Sequence, residues 1–533
     1  MSKRKHAIEE AFQHAARLHA AGRLPEAEQL YRQILAAMPR HADSLHGLGV
    51  LALQAGEPQA AVACIDQAIA VQPSAAMYHV NRAASLHALG RPDDALAACR
   101  EALRHKRNCA EAYQALGHIE SDLGRPEAAL DAYREALRHK PGLPDLANGI
   151  GLALRESNRL EEAADTLANA LRRSPGDDAV RGNLAGVLKD LGRLAEAETL
   201  YRDALRRSPD DPVLHFNLAV LLLLDGRWQE GWAQWEWRLR ARPETARQLA
   251  QPLWRGEPLA GRRLLVHGAE GLGDSIQFGR FLQAMPSDGE IVLEVQTPLV
   301  RLFAGLPRLG GAFAPGDAPP CDLHCPLLSL PHRLGVAGPP DIPAGVPYLA
   351  PDQALVSRWQ QRAASLDGLR VGLAWAGSPD DIRLDRRRSI PLDRLAPLAA
   401  VPGISLVSLQ KGGGAALRDS ALGPAVKDWT DDLADFAETA ALVQTLDLVI
   451  AVDTAVAHLA GALAKPVWLL NRFDTCWRWQ LNCNDSLWYP TMRQFRQSIP
   501  GAWDGVVASV CEALSQAASG ADPDAATSQA ALP

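Results

Sequence analysis

Three glycines precede a single acid in the stretch GAEGLGDSIQF, which begins at Gly268 and follows the apolar run Leu264-Leu265-Val266. This order of residues predicts a strand, a tight turn and the start of a helix. The acid, Asp274, is then expected at the carboxyl edge of a parallel sheet, where open α/β sheets bind ligands. A carboxylate at this edge is poised to take part in chemistry.

Two other interpretations of this stretch stay open. In the first, the Asp274 carboxylate only caps the helix that it begins. In the second, the glycines form a dinucleotide-binding fingerprint and Glu294 is the acid that binds the ribose. The order of Gly268, Gly271 and Gly273 is G-x-x-G-x-G, whereas the fingerprint is G-x-G-x-x-G.

A second stretch, LDLVIAVDTAVAHLAGALAKPVWLL, predicts a strand, Asp453-Thr454, a helix and another strand. Free N–H groups at the helix start, together with the positive end of the helix dipole, favour an anion such as a diphosphate. The Thr454 hydroxyl is a further donor. His458, one helical turn further on, is expected to donate to a sugar hydroxyl or a phosphate; the alternative is a buried histidine whose hydrogen bonds are all satisfied.

Both stretches belong to a region of short apolar runs bounded by Gly and Pro, which begins after Pro243. Such runs predict buried parallel strands alternating with helices. A Pro-rich segment, residues 314–351, divides them into two α/β units, expected at 262–345 and 353–515 with a ligand cleft between them. The tail, residues 519–533, is predicted to be disordered. The predicted strands are RRLLVHG, GEIVLEV, LRVGLAWAG, GISLVSLQ, LDLVIAVD and KPVWLLN.

The first half of the chain repeats with a period of 34 residues. Glycine, proline and small residues share this period, as in tetratricopeptide repeats, where a turn glycine joins two helices and proline follows the second. We predict seven such repeats over residues 8–245, stacked as an all-α superhelix. The three series are Gly22, Gly56, Gly90, Gly124, Asn158, Gly192 and Gly226; Pro39, Pro73, Arg107, Pro141, Pro175, Pro209 and Pro243; and Ala27, Ala61, Ala95, Ala129, Ala163, Ala197 and Gly231.

The concave side of such a superhelix is a groove for an extended chain, so a protein or peptide acceptor is the expected partner. Asn81, Asn183 and Asn217 share one repeat position, and an amide can both donate to a peptide carbonyl and accept from a peptide N–H. The pattern resembles the asparagine ladder of O-linked N-acetylglucosamine transferases. The other slots lack asparagine, so ordinary solvated side chains are the alternative.

The last repeat, DGRWQEGWAQWEWRL, is rich in tryptophan. Because a terminal repeat needs a different outer face, we expect these rings to contact the next domain rather than a ligand. They are Trp228, Trp232, Trp235 and Trp237.

Composition excludes several classes of protein. A net charge of −7 and a pI near 6.1 argue against a nucleic-acid partner. The eight cysteines are too irregular for a disulfide framework, and the segment Cys321–Cys325 lacks a second ligand pair, so we expect it to be a loop without metal. Neither a signal peptide nor a transmembrane segment is indicated, which predicts a cytoplasmic protein.

The motifs GLGDSIQF and DTAVAHLAGAL together resemble the glycosyltransferase family of the bacterial lipopolysaccharide heptosyltransferases, over roughly residues 262 to 500. The resemblance implies a GT-B fold of two Rossmann-like halves. It also implies that Asp274, beside Gly273, is the catalytic base, and that Asp453, Thr454, Ala455 and His458 hold the donor nucleotide-sugar.

Family members also place a basic residue against the donor phosphates after the strand that opens the second half. The segment VGLAWAGSPDDIRLDRRRSIPL offers Arg383, Arg386, Arg387 and Arg388, of which Arg388 is favoured, with Ser378 beside them. Gln410 and Lys411 end the next strand, where the family contacts the nucleotide. The acid usual at that place is absent, which leaves the nucleotide open.

The whole chain resembles bacterial tetratricopeptide glycosyltransferases, among them those proposed to modify flagellin. WRWQLNCNDSLWYPTMRQFRQ is similar to the closing region of these proteins but departs from it at Asn482-Cys483-Asn484. The resemblance implies an inverting transfer from a nucleotide-sugar to a protein hydroxyl, without metal or cofactor. The alternatives are an inactive repeat scaffold and a lipid or polysaccharide glycosyltransferase.

Overall fold

A computed structural model describes residues 2–520 except 142, 144, 269, 344, 379–381 and 482, and omits the side chains of 2–4, 245 and 382–384. Two compact units divide the chain, Met1–Asn183 and the part from Leu184 onward. The predicted tail, beyond Gly520, lies outside the described residues. The repeat helices are α1 (Ser2–Ala20), α2 (Leu24–Ala37), α3 (Ala42–Gln54), α4 (Pro58–Val71), α5 (Ala76–Ala88), α6 (Pro92–His105), α7 (Ala110–Asp122), α8 (Pro126–His139), α9 (Leu146–Glu156), α10 (Leu160–Arg173), α11 (Asp178–Asp190), α12 (Leu194–Arg207), α13 (Pro212–Leu224), α14 (Trp228–Trp235) and α15 (Arg238–Ala241).

The turn between the two helices of each repeat explains the glycine period. Every residue of the series from Gly22 to Gly226 has a φ between +59° and +79°. Residues other than Gly and Asn rarely adopt this left-handed backbone conformation. Asn158 is the one member that is not glycine, and asparagine tolerates this conformation. The tetratricopeptide repeats are therefore confirmed in the backbone.

Small residues are required where the paired helices touch. Ala27, Ala95 and Ala163 are completely buried. At Gly117, an added methyl group would lie 2.5 Å from the ring of Tyr133, so even alanine would force the helices apart. Close helix packing thus depends on small residues at two repeat positions, one in each helix of the pair.

The C-terminal part contains two parallel sheets. The first has the order β3-β2-β1-β4 and the second β10-β9-β8-β5-β6-β7. Together with the helices between the strands, these sheets give the predicted α/β class. The strands are β1 (Arg263–His267), β2 (Glu290–Glu294), β3 (Leu309–Phe313), β4 (Leu323–Pro326), β5 (Leu369–Ala374), β6 (Ile404–Ser408), β7 (Val426–Asp428), β8 (Leu448–Val452), β9 (Val467–Asn471) and β10 (Met492–Arg496).

The six predicted strands are confirmed, but the loop predicted at Cys321–Cys325 is wrong in part. Residues Leu323–Pro326 form β4, which pairs in parallel with β1, and Cys325 is buried. The run is short and flanked by prolines, so its apolar pattern gave no strand signal. Among the described residues, no group of three His, Cys, Asp or Glu is placed to hold a metal ion.

Helices cover both sheets, and one apolar cluster continues from the last repeat through the first sheet to one face of the second. None of the described helices is long and apolar enough to cross a bilayer. The helices are α16 (Leu272–Phe278), α17 (Val300–Phe303), α18 (Leu330–Arg333), α19 (Gln353–Ala363), α20 (Ile382–Arg388), α21 (Gly414–Arg418), α22 (Phe436–Gln444), α23 (Ala455–Ala462) and α24 (Trp503–Ala518).

The tryptophans of the last repeat pack against the α/β part, as predicted. Trp228 stacks on Trp488 with ring centroids 5.3 Å apart, and Trp232 meets Trp477 edge-on at 5.3 Å. Trp235 also contacts Trp477. Trp237 differs from the prediction because it stacks on His215 within the repeat, at 3.9 Å. Most of these rings therefore form a hydrophobic core shared by the last repeat and the first sheet.

Candidate active site

The two motif helices, α16 and α23, meet at their N-termini. A methyl group on Gly273 would lie 2.9 Å from His458 Cδ2 and 3.3 Å from Ala455 Cα. Both helices begin at the carboxyl ends of parallel strands, β1 and β8, so each brings its first turn to the ligand-binding edge of its sheet. Glycine at 273 is what allows this close approach.

Asp274 occupies the third position of α16 and makes two polar contacts. Its Oδ2 accepts a hydrogen bond of 3.2 Å from Gly271 N, the cap expected from the sequence. Its Oδ1 accepts from an Arg478 guanidinium nitrogen. The side chain remains 27% exposed. A carboxylate has about four lone-pair positions, so these contacts leave acceptor capacity facing solvent.

Arg478, the partner of Asp274, is fixed from several sides. Its Nε donates to Gln277 Oε1 at 2.6 Å, and its guanidinium lies 4.5 Å from the centre of the Trp477 ring. Burial opposes its charged form, but Asp274 together with Cys476 and Asp453 outweighs burial and raises the pKa of Arg478. The ion pair therefore holds Asp274 in one orientation.

His458 is buried on α23 between the two motifs. Its Nδ1 is 3.0 Å from the Tyr489 hydroxyl, and its ring stacks on Trp479 at 5.1 Å. Burial and the neighbouring positive charges of Arg478 and Arg280 lower the pKa of His458 to about 3, although Asp274 acts in the opposite direction. The imidazole is thus neutral at physiological pH, with Nε2 lying 3.9 Å from Asp453 Oδ1.

Arg388 lies beside the start of α23. Its Nη1 donates to the Asp453 carbonyl oxygen at 3.2 Å, and its guanidinium packs on Gly377, which follows β5. Within the part of the chain that the structure describes, Arg388 Nε and Thr454 Oγ1 are buried without a hydrogen-bond partner. Buried donors without partners are costly, so an acceptor ligand at this place would be favourable.

A chain of alternating charges lies next to Arg388, and we call it the charge chain: Lys189, Asp190, Arg387, Asp474 and Arg472. Lys189 Nζ is 3.0 Å from Asp190 Oδ1, and Arg387 Nη2 donates to Asp190 Oδ2 at 3.0 Å and also to Asp474. Arg472 Nη1 lies 3.4 Å from Asp474 Oδ2. Burial disfavours the charged form of Arg472, but Asp474 together with Cys476, Asp190 and Asp453 outweighs burial and raises the pKa of Arg472.

The other predicted donor-binding residues are placed around the second sheet with different roles. Gln410 Oε1 accepts from Ala376 N at 3.0 Å, linking the ends of β6 and β5. Lys411 Nζ donates to the Leu433 carbonyl at 2.5 Å and is therefore occupied by backbone. Ser378 is exposed and lies before α20, and Arg386 lies on α20. The side chain of Arg383 lies outside the described residues.

The asparagines of the proposed ladder contact neighbouring repeats. Asn81 Nδ2 is 2.7 Å from His46 Nε2, and Asn183 Nδ2 donates to Asn148 Oδ1 at 2.7 Å. Asn217 is half-buried on α13. The first two side chains are thus partly used within the superhelix, and peptide binding by these residues stays a prediction.

Glu294 is occupied by contacts that do not suit the ribose-binding role of the dinucleotide alternative. Its carboxylate is buried, receives a hydrogen bond from Arg247 and accepts from Gly316 N at 2.9 Å. The geometry therefore gives no support to a dinucleotide fingerprint.

Sequence reasoning did not assign a role to several residues of the site. Arg478 and Tyr489 lie in the segment WRWQLNCNDSLWYPTMRQFRQ, for which the sequence showed only an overall similarity to the closing region of bacterial tetratricopeptide glycosyltransferases. Arg472 directly follows β9. The sequence did contain one signal for Arg472: it directly follows β9, the strand beside β8, so it lies at the same ligand-binding edge of the sheet as Asp453. Asp190 carried no signal, because it belongs to a repeat helix.

Comparison with known proteins places the chain among proteins with tetratricopeptide repeats. One model of the tetratricopeptide repeat matches residues 12–63, 46–112 and 115–178, and a second matches residues 154–212. The chain is also similar to protein FlbA of Caulobacter vibrioides, with 28% identity over 327 residues, which are 54% of this chain and 52% of FlbA. The chain thus spans about half the length of this curated relative.

Two solved structures illustrate the likeness of the repeats. A thermophilic tetratricopeptide protein of Thermus thermophilus is 22% identical, with a TM-score of 0.32 over 34% of this chain and 98% of that one. The APC/C hetero-tetramer Cut9-Hcn1 is 19% identical, with a TM-score of 0.40 over 43% of this chain and 46% of that one.

Proposed function

We propose that the chain is a glycosyltransferase with a GT-B-like catalytic part, which moves a sugar from a nucleotide-sugar to a hydroxyl group of a protein acceptor bound by the repeats. The observation that carries the proposal is the contact of Gly273 with Ala455 and His458. It joins a partly exposed carboxylate to the start of α23, where Thr454 Oγ1 is buried and makes no hydrogen bond to any described residue. A base and an anion site at one place are what sugar transfer requires.

Asp274 is the proposed base. As the acceptor oxygen attacks the anomeric carbon, the carboxylate takes the hydroxyl proton, and the bond from that carbon to the diphosphate breaks. Arg478 keeps the carboxylate oriented towards the site. A general base of this kind contributes about 10²–10⁴-fold.

The departing diphosphate is the second charge that the site must stabilise. Arg388, the Thr454 hydroxyl and the N–H groups at the start of α23 are the donors proposed to bind it. The His458 imidazole is neutral, so its Nε2 is suited to a hydrogen bond with a sugar or phosphate oxygen rather than to an ion pair. Preorganised donors of this kind supply much of the rate acceleration in many enzymes.

Incubation with a panel of nucleotide-sugars and candidate acceptor proteins, followed by intact-protein mass spectrometry, tests this function. Asp274→Asn should lower turnover about 10²–10⁴-fold while donor affinity changes little, because the base acts in the transition state. Asp225→Asn, an exposed acid in the same unit, is the matched control. Full turnover by Asp274→Asn would remove Asp274 as the base.

A second candidate is an inactive repeat scaffold, and the ion pair between Asp274 and Arg478 favours it. A carboxylate oxygen that accepts from a guanidinium has fewer lone pairs left with which to take a proton from a substrate. The two candidates differ in a simple assay: a scaffold neither hydrolyses nor transfers sugar from any member of the panel, whereas the enzyme processes at least one.

A further inference from the structure

Asp190 stands out among the residues at its repeat position. The same position two periods earlier is Asp122, whose side chain is 47% exposed and pairs with His87. The Asp190 side chain is 1% exposed, and its partner Arg387 belongs to α20, 197 residues later in the chain. A repeat residue is therefore built into the neighbourhood of the candidate donor site.

We propose that Asp190 is a positioning residue for the anion-binding arginines. With Asp474 it holds Arg387 from two sides, and Arg387 is adjacent in sequence to Arg388, which contacts the Asp453 carbonyl. The last repeats would then form part of the donor site's support, in addition to recruiting an acceptor. This inference rests on the proposed function, because the anion it serves is the donor diphosphate.

The charges of the charge chain support this role. Lys189, Arg387 and Arg472 are positive, and Asp190 and Asp474 are negative, which leaves one positive charge in excess. All five side chains are at most 16% exposed, so solvent screens them weakly. Two carboxylates thus hold the Arg387 guanidinium through charge-assisted hydrogen bonds.

Two effects of removing the Asp190 charge oppose one another, and this makes the proposal testable. Charge alone predicts tighter anion binding, because a negative group next to the site disappears. Loss of positioning predicts weaker binding, because the guanidinium no longer holds the geometry that its charge-assisted hydrogen bonds to an anion require. If Asp190 positions the arginines, the second effect exceeds the first.

The experiment uses the full chain with Asp190→Asn, which keeps the shape of the side chain, and with Asp122→Asn as the matched control from the same repeat position. Calorimetry measures binding of inorganic pyrophosphate, UDP, GDP and CDP. Hydrogen exchange without ligand follows the backbone N–H groups of Ser389 and Ile390, which donate to Asp385 and Trp375. Circular dichroism verifies that both variants are folded.

The proposal expects Asp190→Asn to bind the best of these ligands about tenfold or more weakly and to exchange faster at Ser389 and Ile390, with Asp122→Asn equal to the wild type. Equal or tighter binding by Asp190→Asn, or unchanged exchange, overturns it. If the wild-type chain binds none of the four ligands and processes no member of the nucleotide-sugar panel, the proposed function falls. The exchange measurement then still decides whether Asp190 holds α20, and unchanged exchange refutes that contact.

Discussion

Substitution of Gly273 by alanine tests the contact between α16 and α23 directly. The new methyl carbon would lie 2.9 Å from His458 Cδ2, whereas carbons pack without strain at about 3.5 Å or more. The helices must therefore separate by about 0.6 Å, or the imidazole must move. The imidazole is fixed by Tyr489 and Trp479, so we expect the helices to separate.

Overpacking of this kind costs about 1–3 kcal/mol, and the shift also moves Asp274 relative to Arg388. We expect Gly273→Ala to lower the free energy of unfolding by about that amount and the sugar-transfer rate by about tenfold to 10²-fold. Urea denaturation and a donor-turnover assay measure the two effects. Gly305→Ala is the control, because an added methyl group there meets no atom within 4 Å. A Gly273→Ala protein with wild-type stability and turnover would show that the helices do not meet as described.

Three further predictions concern stability, each measured by urea denaturation. Trp228→Ala should cost about 3–5 kcal/mol, because it empties a buried site in the core shared by the last repeat and the first sheet, while Trp237→Ala, outside that core, should cost less. Asp211→Ala should cost about 1 kcal/mol, since the carboxylate caps α13 by accepting from Val213 N and Leu214 N, and the exposed neighbour Asp210→Ala should be near neutral. Burial lowers the pKa of His267 to about 3, so the folded protein holds this imidazole in its neutral form. The stability that depends on the neutral form is fully present above pH 6.5 and is lost as the pH falls towards 3. His267→Gln should therefore reduce the acid-induced loss of unfolding free energy between pH 7 and pH 5 by up to about 2 kcal/mol, whereas the exposed His6→Gln should not. If Trp228→Ala, Asp211→Ala or His267→Gln behaved like the wild type, the burial or helix cap described for that residue would be contradicted.

The repeats were predictable from the sequence because their contacts are local. A left-handed turn, a small residue at a helix crossing and a proline after a helix each follow from a few neighbouring residues, and the 34-residue period multiplies the signal. The juxtaposition of Asp274 and the start of α23 was predictable for another reason. Both motifs follow buried parallel strands, whose carboxyl ends form the ligand edges of α/β sheets.

The remainder of the site could not be predicted because its contacts join distant segments. Arg478 pairs with Asp274 across 204 residues, and Arg387 pairs with Asp190 across 197. Strand β4 was missed because prolines flank a run of only four residues, and β10, MRQFR, because its polar residues hide the apolar pattern. The family resemblance suggested a phosphate contact and favoured Arg388, which contacts the Asp453 carbonyl, but nothing in the sequence showed that Arg387 is held by two carboxylates.

The contacts of the last repeats with the α/β part limit how such a protein can change by gene duplication. We expect that earlier copies of the 34-residue unit can be gained or lost while the contacts of Asp190, Trp228 and Trp232 stay intact. The final copies carry those contacts and are not interchangeable with the others. We therefore expect copy number to vary among descendants of this chain at the amino-terminal side, while the last copies are inherited together with the sheets.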